Sequence, residues 1–379
     1  GITLSHAAKD PYDTLYDAIM LRQAVDGKVY GHDEPVPLVF GRSAFPFDPA
    51  SFEKLEAALK EFESLQQETI EKYSDIKKAI LQRHLWVIFD ATMPGPDSVE
   101  RKPNANRAKL QARIASLIKR LALSKEKILA LPNTGLATIE SGNFAVKHDP
   151  NDHLAQFLPA DLYAENSSWV CIGRAGQRPT THSHLQNWRS AFFQFVKAPG
   201  GREATIASID GINRGEVFPV GTQFALTEHA LLISDKEEMV LSPLVFGIQL
   251  RAYLDVTRSA RDARPSPTQC VTEFVMQPRQ LMRGNAVMKA IGRDEGRWKT
   301  FNPFDGGKLD PFELGETSPA TRMTQCVSCH GNAGIRSLGD FRRRSSVTLE
   351  QLKPNDVTKV TLTAKRADER WTTLVGHWK

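Results

Sequence analysis

The chain of 379 residues is poor in cysteine, with only four. Four cysteines in a chain this long do not make a disulfide framework, so its stability has to rest on a hydrophobic core, which a chain of this size can bury. Long apolar runs are also missing. The longest candidates, 229–234 and 240–249, fall well short of the roughly 18 apolar residues that a membrane-spanning helix needs. Gly1-Ile2-Thr3-Leu4-Ser5-His6 offers neither a charged n-region nor an apolar h-region, so an exported form would already have lost its signal or anchor. Internal repeats and low-complexity tracts are absent. So are a Gly-rich phosphate loop, a Gly-x-Ser-x-Gly elbow and a His-Glu-x-x-His zinc helix. Hydrophobic residues at 41% and charged residues at 25% are ordinary globular values, which excludes disordered, collagenous and coiled-coil classes.

Charge is nearly balanced, and its small excess is local. The net charge is +5, yet residues 321–379 alone hold 11 Lys and Arg against 5 Asp and Glu. The basic character therefore belongs to the C-terminal stretch. Nucleic acid is not expected as a partner: no binding motif is present, and the aromatics do not interleave with the charges.

The same stretch holds the one sharp motif. Cys326-Val327-Ser328-Cys329-His330, followed by Gly331, has the C-x-x-C-H pattern of covalent haem attachment. Two thiols three positions apart can each add to one haem vinyl group, and the following imidazole can reach the iron. A thioredoxin-like pair would sit near a βαβ pattern, which is not found here. A zinc site would need two further close ligands, and Cys171 and Cys270 are far away in sequence.

On these residues the chain resembles the c-type cytochromes. The resemblance covers the motif directly and residues 286–379 as a segment. It implies one haem c, with Cys326 and Cys329 as thioether links and His330 as proximal iron ligand. It also implies attachment outside the cytoplasmic membrane, hence a periplasmic or otherwise extracytoplasmic location. One feature departs from the small cytochromes: no Met follows Met323. The sixth iron position then falls to His377, to Met323, to Met276, Met282 or Met288, to His182 or His184, or to no protein group. A filled position favours electron transfer, and an open one permits binding of a small molecule.

Period and breakers divide the chain into an α+β protein of three parts. Residues 1–155 read as helical. A short helix is expected near 13–24, and one from Asp48-Pro49 to about Ala91 carries Leu55, Ala58, Leu59, Phe62 and Leu65 at helical spacing. Two more are expected at about 105–122 and 124–130. Residues 156–285 read as largely antiparallel β, with strands around 169–172, 191–196, 204–207, 224–235, 239–254 and 271–276. Residues 286–379 read as a mostly helical and loop haem segment, with a helical turn near 348–350 and a last helix holding Trp371 and Leu374.

Three further constellations stand out. Cys171 and Cys270 could pair in an oxidising compartment or remain buried thiols. His182 and His184 would lie on one side if their segment is extended, and could start a Cu or Zn site completed by His148, His153, His229 or a carboxylate. Arg336, Arg342, Arg343 and Arg344 could hold haem propionates, steer an acidic redox partner, or be solvated. The leading expectation is an electron-transfer cytochrome. The alternatives are a haem enzyme or small-ligand sensor, and a binding module with an attached redox domain.

Overall fold

The computed structural model describes residues 9–23, 29–30, 49–93, 105–152, 155–174, 189–257, 268–291 and 348–379. The chain begins with helix α1 (Pro11–Met20) and a small ribbon of β1 (Arg22–Gln23) and β2 (Val29–Tyr30). The expected long helix is three: α2 (Pro49–Glu63), α3 (Gln67–Glu71) and α4 (Asp75–Thr92). Ser74 makes the last break, because its hydroxyl caps α4 by accepting from the Lys77 amide. Then come α5 (Ala105–Arg120), α6 (Lys125–Leu129) and α7 (Thr134–Glu140). Helix α7 is capped by Asn133, which accepts from the Leu136 amide.

The middle of the chain builds the expected antiparallel sheet, so the molecule is a mixed α+β protein. Its strands are β3 (Val170–Arg174), β4 (Ser190–Lys197), β5 (Gln223–Ile233), β6 (Met239–Tyr253), β7 (Gln269–Val275), β8 (Lys289–Ala290) and β9 (Leu349–Gln351). They lie in the order β8-β7-β6-β5-β4-β3-β9, all neighbours antiparallel. A five-residue helix, α9 (Pro278–Met282), links β7 to β8. Two short segments depart from their sequence readings. Residues 204–207 are helix, inside α8 (Arg202–Asn213), although Thr205 and Ile206 favour strands. Gly200 and Gly201 turn the chain at positive φ, and Thr205 is held by accepting from the Ala198 amide and donating to the Gly201 carbonyl. The expected turn at 348–350 is instead edge strand β9, paired with β3. After it, α10 (Pro354–Arg366) and α11 (Glu369–Gly376) close the chain.

Alternation along the strands sends side chains to two cores. Val170, Ile172, Val196 and Phe224 meet Ile209 and Ile212 of α8 on one face. Cys171, Phe193, Phe195, Ala225, Ile248, Leu250 and Phe274 face the other, larger core. That core draws on α1, α2, α4 and α5, on the sheet, and on Val357 and Leu374 of the last two helices, so it includes residues on both sides of 155/156 and 285/286. Helix α4 is its centre, with every residue from Ala79 to Phe89 buried. Such a helix is expected to be apolar all round. Gln82 is accommodated because its amide nitrogen donates to the Ile118 and Ile233 carbonyls while its oxygen accepts from the Ile233 amide.

Candidate functional site

Cys326, Cys329 and His330 lie outside the described residues, as do Met323, His153, His182, His184, Arg336, Arg342, Arg343 and Arg344. What the structure gives is the anchorage of the segment that carries the motif. Residue 291 leaves β8 at one edge of the sheet, and residue 348 leads into β9 at the other. At about 4.8 Å per strand, six spacings separate the two edges by about 29 Å. Both ends of the motif-bearing segment are thus tied to one sheet.

The candidate sixth methionines within the described residues are engaged elsewhere. Met276 and Met288 are core residues, 5% and 2% exposed. The Met288 amide also donates to the Thr138 hydroxyl. The Met282 sulfur accepts from the Tyr12 hydroxyl at 3.1 Å. His377 ends α11 at the surface, with its ring edge-on to Phe89 at 5.9 Å. Among the other histidines, His148 stands edge-on to Phe157 and His229 edge-on to Phe193 and Tyr163. Burial alone pushes the His229 imidazole down to about 4. No group of three or more metal-ligating side chains occurs among the described residues.

The Cys171–Cys270 bond weighed from the sequence is absent: both thiols are free and buried. Cys171 sits on β3 and Cys270 on β7, four strand spacings apart, or about 19 Å, whereas a disulfide needs Cα atoms within about 7 Å. Burial raises the thiols to about 12 and about 11.

One constellation escaped the sequence reading. Helix α4, apolar through its buried stretch apart from Gln82, carries Arg83, His84 and, in its last turn, Asp90. Arg83 donates through one nitrogen to Ser190 at 3.2 Å and to Glu228 at 3.0 Å, and its guanidinium lies over the Phe246 ring. Arg189 donates to Asp90 at 2.8 Å. Both arginine side chains are almost wholly buried, at 4% and 3% exposed. Lys365 of α10 and Arg370 of α11 lie close enough to be coupled electrostatically to Asp90 and Arg189. Burial dominates here, pushing Arg83 down to about 10 and Lys365 to about 7, and holding neutral His84 well below the usual imidazole range. The signal in the sequence was the run Gln82-Arg83-His84 inside an apolar helix.

No helix among the described residues is long and apolar enough to cross a membrane. Comparison of the chain with protein-family models, with curated proteins and with solved structures gives no match.

Proposed function

We propose that this protein is a mono-haem c-type cytochrome that transfers electrons outside the cytoplasm, with an acidic protein surface as its redox partner. The observation that carries the reading is the motif Cys326-x-x-Cys329-His330. Its donor set fits the group: two thiols for two thioether links and one imidazole for the iron. Haem c, once attached, supplies one-electron exchange at its iron. The chain's own part is to fix the macrocycle through Cys326 and Cys329, to hold the iron through His330, and to present a basic C-terminal stretch to the partner.

A second reading, a haem enzyme or small-ligand sensor with an open or weak sixth position, has one observation in its favour. Among the described candidates, Met276 and Met288 are packed in the core and the Met282 sulfur accepts a hydrogen bond, which leaves His377 at the surface. One experiment separates the readings. Protein made in cells that mature c-type cytochromes is extracted with acid–acetone, and the spectrum of the reduced form is recorded with and without CO. Colour that survives extraction with a spectrum indifferent to CO is expected for the carrier. Rapid CO binding selects the second reading, and colourless protein removes both.

A further inference from the structure

We propose that residues 292–347, the segment that carries the C-x-x-C-H motif, dock on the sheet face that holds α8, beyond that helix, over β5, β6 and β7. The register puts Phe192, Leu226, Gln249, Arg251, Val271 and Val275 on the same face as Val196 and Phe224, which pack with α8. Phe192, Val271 and Val275 are buried, yet they belong to neither of the two cores. Arg251, paired with Val271, is buried as well.

The cover of these side chains comes from outside the described residues. Helix α8 packs on β9, β3 and β4, at one end of this face. The helices of the large core lie against the other face. Apolar side chains are taken out of water only by close neighbours. A surface that sets Gln249 and Arg251 among apolar groups calls for polypeptide, which supplies hydrogen bonds together with apolar contacts.

Topology selects the stretch of chain. Residues 31–48 and 94–104 are flanked by α2, α4 and α5, which belong to the large core on the far face. Residues 258–267 join β6 to β7 and contain no Leu, Ile, Val, Met or aromatic residue to meet Val271. Residues 175–188 join β3 to β4, at the end of the face that α8 occupies. Residues 292–347 run from β8 at one edge to β9 at the other, so their direct path crosses the sheet. About nine extended residues span the ~29 Å between the edges. The segment is far longer than that, and it brings Phe301, Phe304, Leu309, Phe312 and Leu314.

The test is photo-crosslinking of the full-length mature protein, with p-benzoylphenylalanine in place of half-buried Leu226 on β5. After irradiation and digestion, mass spectrometry should find the crosslinked peptides within residues 292–347 of the same chain. Half-buried Gln249 on β6 is the second position and decides the matter if the Leu226 variant does not fold. The same probe at exposed Leu129 of α6 should not reach the segment. Crosslinks from the sheet positions to 31–48, 175–188 or 258–267, to a second copy of the chain, or to nothing overturn the proposal, as does equal capture of 292–347 from Leu129. No haem signal enters the readout. Colourless protein with the expected crosslinks would remove the cytochrome reading alone, and red protein crosslinked elsewhere would remove the docking alone.

Discussion

Thr134 and Val245 exchange two hydrogen bonds: the Thr134 hydroxyl donates to the Val245 carbonyl at 2.6 Å and accepts from the Val245 amide at 2.7 Å. Val245 stands where the β5–β6 ladder slips, between the pairs Glu228↔Gly247 and Leu231↔Leu241. Pro243 lies in the same irregular stretch, where a residue without an N–H does the least harm. A single side chain from the first turn of α7 thus bonds both backbone groups of Val245, the residue paired with His229 at this irregularity.

Replacing Thr134 by Val should therefore leave both backbone groups of Val245 buried without partners. The expected destabilisation is about 2–5 kcal/mol, from two groups at about 1–3 kcal/mol each. Thr134→Ser retains the hydroxyl and should lose much less. Guanidinium unfolding followed by circular dichroism reads both, and equal midpoints for the two variants would contradict the role assigned to the hydroxyl.

Thiol counting tests the cysteine assignment. Unfolded in denaturant without reductant, the mature protein should titrate two thiols per chain, Cys171 and Cys270. Four would show that no thioethers had formed at Cys326 and Cys329, and none would restore the Cys171–Cys270 bond. In the native state both should react slowly, because burial holds them as thiols far above neutral pH.

Haem attachment makes separate demands on each residue of the motif. Cys326→Ala leaves one thioether at most and should shift the pyridine haemochrome band. His330→Ala should keep covalent haem but lose the imidazole field, altering the spectrum of the ferric protein. A wild-type spectrum in either variant would refute the role given to that residue.

Acid should weaken the fold through His229. Its imidazole is held at about 4 in the folded chain against an ordinary value of 6.5. Below 6.5 the unfolded chain takes up a proton that the folded chain refuses. The His229 contribution to stability therefore falls as pH drops from about 6.5 towards 4, by about 3 kcal/mol in all, and is constant above that window. His84 adds to the slope in the same direction. His229→Gln should flatten the dependence measured by urea unfolding at a series of pH values; an unaltered slope would rule out His229 as its source.

Much of the architecture was legible in residue patterns, and the failures have physical causes. The apolar and β-branched runs marked β4 through β7 closely, because these strands are largely buried against the two cores. Thr205 and Ile206 misled, since their β-branched preference yields to the turn at Gly200-Gly201 and to the spacing of Thr205, Ile209 and Ile212 along one helix face. Strand β9 left little trace: three residues, only Leu349 of them buried, carry almost no pattern. The C-x-x-C-H pattern was plain because it is written in five consecutive residues. The Arg83–Glu228 and Arg189–Asp90 pairs were not, because their partners are 145 and 99 positions apart and only folding brings them together.

The path of the chain through the sheet bears on any attempt to dissect the protein. Because β9 joins the same sheet, and α10 and α11 the same large core, as elements that precede the motif, a cut placed near residue 286 would not release an independent C-terminal unit. It would strip the outer neighbour from β3, bare the Cys171 strand, and withdraw Val357 and Leu374 from the interior. The C-x-x-C-H motif thus lies in sequence between two strands of one sheet, and engineering it calls for exchange in place between residues 291 and 348.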